Sequence, residues 1–97
     1  MPYTWSKLDY DPEKDEANFA KHGVPLGFAA MVLADRSRVD VLDTRFDYGE
    51  ERFVTYGFAE GRVWICVHAP RDGVARIISV RRANERETER YHGEQRP

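Results

Sequence analysis

The chain has 97 residues, of which 41% are hydrophobic and 33% are charged, and its formal net charge at pH 7 is −2. This length predicts one domain over residues 1–97, with a folded core at about residues 7–92 and a frayed tail at residues 93–97. The charge excludes a protein that binds nucleic acid through a broadly basic surface. Residues 60–97 are net basic, with eight arginines against six acidic residues. An anionic ligand would therefore have to bind a local patch.

Cysteine usage and hydropathy exclude further classes. Cys66 is the single cysteine of the sequence, so the chain has no internal disulfide, which favours a cytoplasmic location. No stretch approaches the length of a membrane span, and the N-terminus lacks the pattern of a secretory signal. The three histidines are far apart and lack the paired spacing of zinc sites. We therefore predict a cytoplasmic protein with no membrane association, no metal and no other cofactor.

The N-terminal segments predict a strand and a capped helix. Residues 1–6 are expected to form a loose lead-in, and residues 7–10 are typical of a short edge strand. Asp11 and Pro12 predict the start of a helix, because a carboxylate is a favoured N-cap and proline fits the first helical position. Gly23 is expected to end this helix in the left-handed conformation.

The middle of the chain changes from a helical to a strand pattern. Residues 25–34 are almost entirely apolar and predict a second helix, with three side chains expected in the core: Phe28, Met31 and Val32. From residue 39 onward the pattern predicts four strands, which are Val39–Leu42, Arg52–Ala59, Arg62–His68 and Val74–Arg82. The short connections at Gly61 and at Asp72-Gly73 favour an antiparallel meander.

The last segments complete the predicted fold. The run Val63–Val67 is apolar on both faces, which indicates a central strand. Asn84, with Glu87 three residues later, predicts the start of a capped final helix that ends at Gly93. The sequence therefore predicts an α+β sandwich with two N-terminal helices, a four-stranded antiparallel meander sheet and a C-terminal helix.

Three arginines at the end of the last strand form the first candidate site: Arg76, Arg81 and Arg82. Guanidinium groups bind phosphate or carboxylate bidentately, so the cluster indicates an anionic ligand. In a regular strand Arg76 and Arg82 share a face and Arg81 points away, so only a bulge or the turn into the helix would bring all three together. The alternative is that these arginines are solvated and paired with Glu85 or Glu87.

Two histidines and a carboxylate are candidates for proton transfer. His22 is expected at a helix C-terminus, where the dipole favours a raised pKa, and it serves either as an acid–base group or only as a cap residue. His68 is expected on the face that carries Cys66, either at the rim of a groove or as a partly buried hydrogen-bond donor. Neighbouring strand residues face opposite sides, so at most one of Glu50 and Glu51 faces the arginines, and a salt bridge is the simpler role.

Several short motifs of this sequence occur in an order that matches a known family pattern. They are Asp11–Lys14, Asn18, Lys21–Val24, Glu50–Phe53, Val67-His68, Arg76–Ser79, Arg81–Ala83, Glu87 and Tyr91. Together they resemble the BrnT family of small bacterial toxins, over about residues 9–91. The chain departs from the family pattern at residues 25–30, which are apolar where the family is acidic, and at Val80, where the family has alanine.

The resemblance implies a RelE-like ribonuclease that serves as the toxin of a type II toxin–antitoxin system, cleaves RNA and inhibits translation. It also implies neutralisation by a ribbon-helix-helix antitoxin similar to BrnA, in a 2:2 complex that contacts promoter DNA only through the antitoxin. The alternatives are a non-catalytic module that docks the antitoxin and helps to repress a promoter, and a metabolic enzyme with a site for a small anion.

For a metal-independent endoribonuclease that uses the 2′-hydroxyl of its substrate, the chemistry requires cationic donors and proton-transfer groups. The catalytic candidates are Arg81, Arg82, His22, His68 and Glu51, and the RNA-binding candidates are Arg76, Arg52 and Tyr91. Tyr91 either stacks on a base or packs within the protein.

Overall fold

The computed structural model describes residues 7–95. Within this range the chain is of the α+β class, with a mixed sheet of five strands between helices on both faces. The elements in chain order are β1 (Lys7–Asp9), α1 (Pro12–His22), a 3₁₀ turn (Leu26–Phe28), α2 (Ala29–Leu33), β2 (Val39–Leu42), β3 (Phe53–Ala59), β4 (Arg62–Arg71), β5 (Val74–Arg82) and α3 (Glu85–Glu94). The predicted lead-in at residues 1–6 and the last two residues of the predicted tail lie outside the described residues.

The strand order β1-β5-β4-β3-β2 makes β4 central, as predicted from its apolar run. Strands β2 to β5 form the predicted antiparallel meander. Each of its two tight turns has consecutive residues with positive φ, namely Glu60 (49°) with Gly61 (77°) and Asp72 (52°) with Gly73 (80°). Positive φ at both central residues is the type I′ geometry, whose twist matches that of the flanking strands.

The prediction of a purely antiparallel, four-stranded sheet is wrong because of β1. This strand pairs with β5 in parallel, with Lys7 opposite Val74 and Asp9 opposite Arg76. Leu8, between them, packs against the core. Three residues are too short a pattern to reveal a parallel partner that follows much later in the chain.

Helix α1 lies along the part of the β5 edge that β1 does not pair. The side chain of Asp11 caps its start and Gly23, with φ of 77°, ends it, as predicted. Asn18 is buried and donates to the carbonyl oxygens of Val24 and Val80, both at 2.9 Å, and accepts from the amide of Val80 at 3.1 Å. One side chain thus satisfies backbone groups that a neighbouring strand would otherwise pair.

The predicted second helix is a 3₁₀ turn followed by a five-residue α2. Val32 is fully buried against Gly57, where an added Cβ would lie 2.4 Å from the Val32 carbonyl oxygen. Because Val32 faces the sheet, the residue before it in the helix, Met31, faces solvent and is 44% exposed. The prediction that Met31 lies in the core is therefore wrong. Phe28 packs on Trp64, with ring centroids 4.5 Å apart.

The sheet has two faces with different coverings. The α2 face is covered by the 3₁₀ turn and α2 and carries the buried side chains of Thr55, Cys66, His68, Ile77 and Val80. The α3 face carries Val54, Tyr56, Ile65, Val67 and Arg81, and part of it is covered by Tyr91 of α3. Each core is therefore built from alternate residues of the same strands.

Helix α3 begins with the predicted capping box of Asn84 and Glu87. The prediction that Gly93 ends it is wrong, because the helix continues to Glu94. Gln95 then caps it, and its side-chain amide donates to the carbonyl oxygen of Ser37 at 2.8 Å. None of the helices in residues 7–95 is long and apolar enough to cross a bilayer.

Candidate functional site

A bulge in β5 changes the parity of the strand that carries the arginines. Val67 of β4 lies opposite Ser79, but the next residue, His68, lies opposite Ile77. Ile78 is therefore an extra residue in β5. An inserted residue of this kind moves every later side chain of the strand to the opposite face.

The bulge places two of the three arginines on the same face. Arg81 is opposite Ile65 on the α3 face, and Arg82 is opposite Trp64 on the α2 face. Arg76, which precedes the bulge, lies on the α3 face with Arg81, since cross-strand partners share a face. The strand is therefore not regular, and the arrangement expected of a regular strand, with Arg76 and Arg82 on one face, does not occur.

A cavity of about 330 Å³, here called the arginine cavity, lies on the α3 face beside α3. Its floor consists of strand side chains: Val41, Val54, Tyr56, Ile65 and Val67. One wall comes from β5 and α3 and carries Arg81, Glu87 and Arg90. The other comes from the end of β2 and the loop after it, and carries Asp43 and Arg45. The cavity thus combines an apolar floor with cations on both sides.

Arg81 is held by a carboxylate of α3. Its Nη1 and Nη2 donate to Oε1 and Oε2 of Glu87, both at 2.8 Å. This pairing raises the pKa of Arg81 and lowers the pKa of Glu87. Glu87 is itself fixed, because Oε1 accepts from the amide of Asn84 at 2.9 Å. The Arg81 side chain remains 39% exposed, so its position is set while its outer edge stays open to a ligand.

Arg45 is held in the same way on the other wall. Its Nε and Nη2 donate to the two carboxylate oxygens of Asp43 at 2.9 Å. The Asp43 carboxylate also accepts from the hydroxyl of Tyr48 at 3.0 Å. Its bonds to Arg45 hold the pKa of Asp43 well below the usual range. The side chain of Asp43 is 2% exposed and that of Arg45 is 69% exposed. A buried carboxylate therefore anchors an exposed cation.

Sequence reasoning missed two of the cavity's arginines, Arg45 and Arg90. The guanidinium of Arg90 lies 5.1 Å from the ring centroid of Tyr56, and its Nη1 donates to the Tyr56 hydroxyl at 3.3 Å. Helical spacing was an available signal, since Arg90 lies three residues after Glu87 on one face of α3. For Arg45 the spacing from Asp43 in a loop was too weak a signal.

His22 is half-buried at the end of α1, near β5. Burial lowers the pKa of His22, and the charges of Lys21 and Arg81 lower it further. The expected rise in its pKa is wrong, because burial and two cations outweigh the helix dipole. His22 is not among the side chains that line the arginine cavity.

His68 lies in the core of the α2 face, on the face shared with Cys66 as predicted. Its Nε2 is 2.8 Å from Oγ1 of Thr55, and that hydroxyl also donates to Asp40 at 2.5 Å. Burial lowers the pKa of His68 to about 4, with a smaller opposing effect of Asp40. The imidazole is therefore neutral at pH 7 and out of contact with solvent.

The loop between β2 and β3 carries Glu51 and Arg52. Glu51 is exposed and lines a shallow cavity that also contains Arg45. The Arg52 guanidinium stacks over the Tyr48 ring at 4.1 Å and donates to Glu50 at 3.2 Å. This pair confirms the predicted salt bridge between an acidic residue of this segment and a nearby arginine.

Tyr91 is 5% exposed and packs against Phe58. Its hydroxyl donates to Asp35 at 2.5 Å, and burial followed by this bond raises the pKa of Tyr91 to about 12. The same carboxylate accepts from the Phe58 amide at 2.8 Å. Of the two roles considered for Tyr91, the structure places it in the packing role.

The remaining candidates lie outside the arginine cavity. Arg76 is half-buried and Arg82 is exposed, and neither lines the cavity. In residues 7–95 no three His, Cys, Asp or Glu side chains are grouped so as to hold a metal ion.

The family comparison agrees with the resemblance found in the sequence. A family model described as the ribonuclease toxin, BrnT, of type II toxin–antitoxin systems matches residues 10–87. The match covers most of the chain and includes Arg45, Arg81 and Glu87. The chain is therefore in the class of small toxins that pair with a protein antitoxin. It belongs to the BrnT family, a family of ribonuclease toxins. A search of curated proteins gives no match.

Proposed function

We propose that this chain is a metal-independent endoribonuclease whose active site is the arginine cavity, and that it inhibits translation by cutting RNA. The observation that carries the proposal is the placement of Arg81 and Arg45 on opposite walls, each held bidentately by a carboxylate. A phosphodiester in the cavity would meet positioned donors from both sides. Such preorganised donors stabilise charge that develops on a phosphate in the transition state.

The proposed reaction uses a nucleophile that RNA itself supplies. The 2′-oxygen attacks the adjacent phosphorus and loses its proton to a general base, while the bond to the 5′-oxygen breaks and that oxygen gains a proton. The products are a 2′,3′-cyclic phosphate and a free 5′-hydroxyl. The protein therefore needs to position the phosphate, stabilise its charge and move two protons.

Arg81 is the group we assign to the developing charge. Three of its five N–H groups are used, two by Glu87 and one by the carbonyl oxygen of Arg82 at 3.2 Å. In the described part of the chain this leaves Nε–H and one Nη2–H for phosphate oxygens. Glu87 is a positioning residue, because it holds the guanidinium plane, and Arg45 binds the phosphate from the opposite wall.

His22 is the proton-transfer group we favour, with Glu51 as the alternative. A lowered pKa keeps the imidazole neutral at pH 7, which is the form required of a base. His68 and Tyr91 are assigned to the fold because both are buried. Arg76 and Arg52 are assigned to longer-range attraction of the RNA backbone.

For the partner, we propose an antitoxin of the BrnA type with a ribbon-helix-helix domain, in a 2:2 complex. The net charge of −2 supports contact with promoter DNA through the antitoxin. The layered helix–sheet–helix arrangement is the basis for calling the fold RelE-like.

The test is cleavage of a defined RNA in EDTA by the wild-type protein, Arg81→Ala and Arg82→Ala. We expect Arg81→Ala to lose on the order of 10²–10³ in rate, the usual cost of removing one transition-state donor. Arg82→Ala is the matched control, since it removes the neighbouring guanidinium from the α2 face. We expect it to stay within a few-fold of wild type. Circular dichroism and thermal unfolding confirm that each variant is folded.

A folded Arg81→Ala variant with wild-type cleavage would contradict the proposed site, and wild-type activity that EDTA abolishes would contradict metal independence.

The second candidate function is a non-catalytic module for antitoxin docking and co-repression. It is favoured by the neutralisation of Arg81 and Arg45 by their own carboxylates. Absence of both growth arrest and RNA cleavage, with antitoxin binding intact, would establish this module.

A further inference from the structure

Phe46 is the most exposed large apolar side chain in residues 7–95, at 69%. It lies in the loop between β2 and β3, outside both cores of the sheet. A large ring left in water gives the fold nothing by burial. An exposed aromatic side chain of this kind is a candidate for contact with a ligand.

The loop around Phe46 is held in place from both sides. The Phe46 ring lies 5.8 Å from the ring of Tyr48, at 74° to it. Tyr48 is fixed by its hydroxyl bond to Asp43 and by the guanidinium of Arg52 stacked over its ring. Phe46 is therefore presented to solvent from an anchored segment.

Phe46 borders the proposed active site. The shallow cavity that it lines also contains four residues of the arginine cavity: Leu42, Asp43, Thr44 and Arg45. The two cavities are therefore adjacent and share this segment of the loop as a common wall. Arg45 and Phe46 are neighbours in the chain, so a cation for a phosphate and a ring for a base stand side by side.

We propose that Phe46 is a stacking platform for a nucleobase of single-stranded RNA, next to the phosphate bound between Arg81 and Arg45. Proteins that bind single-stranded RNA hold unstacked bases against aromatic side chains in this way. Asp47 and Glu51 also line this cavity. Their negative charge repels the phosphate backbone, and their carboxylate oxygens are able to accept hydrogen bonds from base amino groups, which directs the base to this side. The inference rests on the proposed function and names the part of the substrate that the loop recognises.

The test is direct binding of a fluorescently labelled single-stranded RNA that carries 2′-O-methyl groups throughout, which blocks attack by the 2′-oxygen. We expect Phe46→Ala to bind about 5- to 150-fold more weakly, the range measured for loss of one base–aromatic stack. Phe46→Trp should restore binding and Phe46→Leu should not, because leucine is apolar but has no ring. The control is Phe19→Ala, which removes an aromatic side chain that is 58% exposed on α1. We expect it to bind like the wild type.

Salt dependence separates stacking from charge. Each phosphate contact to single-stranded nucleic acid contributes about 0.7 to the slope of log K against log salt. Arg45→Ala should therefore lower the slope by about that amount, while Phe46→Ala should weaken binding at every salt concentration with the slope unchanged. A changed slope in Phe46→Ala would overturn the stacking role.

The outcomes also separate this inference from the proposed function. If Phe46→Ala binds and cleaves RNA like the wild type while Arg81→Ala does not cleave, the stacking platform is wrong and the active site stands. If Arg81→Ala cleaves normally, the proposed function itself fails. If Phe46→Ala weakens binding of the antitoxin but leaves RNA binding unchanged, Phe46 docks a protein and the inference is overturned.

Discussion

The two faces of the sheet carry similar residue types in opposite environments. On the α2 face, Asp40, Thr55 and His68 form a hydrogen-bonded chain inside the protein. On the α3 face, Arg81 and Arg45 are each paired with a carboxylate at the edge of an open cavity. Burial therefore decides whether a polar side chain specifies the fold or remains available for chemistry.

The energies of the ion pairs on the two faces differ for the same reason. Arg38 and Asp40 are 9% and 15% exposed, so removal of one partner leaves a poorly solvated charge. The pair of Arg81 with Glu87 is more exposed, and such pairs contribute about 1 kcal/mol or less. A phosphate is able to compete for Arg81 without unfolding the domain. We therefore expect stability to depend mainly on the α2 face and the proposed activity on the α3 face.

The largest expected effect on stability comes from a substitution that creates a cavity in the core under the α2 face. Leu26 is fully buried, and Leu26→Ala should lower the free energy of unfolding by about 2–5 kcal/mol, measured by urea denaturation. Met31→Ala in the adjacent α2 is the control, because Met31 is 44% exposed, and it should change stability by about 0.5 kcal/mol or less. Equal losses in the two variants would contradict the assignment of the core.

A second prediction concerns the pH dependence of stability. The pKa of His68 is about 4 in the folded chain against an ordinary value of 6.5, so the unfolded chain takes up this proton first as pH falls. The contribution is fully present above pH 6.5 and is lost towards pH 4, in total about 3 kcal/mol. His68→Gln removes the titrating group, so its free energy of unfolding should fall less between pH 7 and pH 4. Unfolding curves across this range measure the difference.

His22→Gln is the matched control for His68. It should leave most of the stability profile unchanged, because His22 is only half-buried. It should instead lower the cleavage rate and remove the fall in rate on the acidic side of the pH profile. The reverse pattern, with His22 governing stability and His68 governing rate, would invert the roles of the two faces.

The smallest expected effect is at Glu87. Glu87→Gln keeps the capping box, since glutamine serves there as well, but removes a negative charge beside Arg81. Stability should change by about 1 kcal/mol or less, and binding of the 2′-O-methyl RNA should tighten by up to about fivefold. Weaker binding would contradict this expectation and show that the loss of positioning of Arg81 outweighs the removal of the negative charge.

Much of the fold was predictable where the signal was local. Asp11 and Gly23 mark the two ends of α1, and tight turns at Gly61 and Gly73 connect the strands of the meander. Both features were predictable because helix caps and type I′ turns depend on a few adjacent residues. The capping box of α3 was predictable for the same reason. The parallel position of β1 was not, because its partner follows much later in the chain.

The site was predictable in its residue types and less so in its geometry. The sequence drew attention to Arg81, but it placed Arg82 beside it in the site. As adjacent strand residues the two lie on opposite faces, and the bulge at Ile78 instead brings Arg76 onto the face of Arg81. Arg45 was missed, because only the assembled sheet brings the loop after β2 to the cavity that Arg81 also lines.

The sequence by itself determined the α+β class, the central strand, the helix caps and membership of the BrnT family, since these follow from patterns and motifs along the chain. Only the tertiary structure decided that His68 is neutral and buried, that burial lowers the pKa of His22, and that Arg45 and Arg81 line one cavity. Burial and the approach of distant charges are properties of the packed molecule. They set which side chains titrate and which remain open to a substrate, and no local pattern contains them.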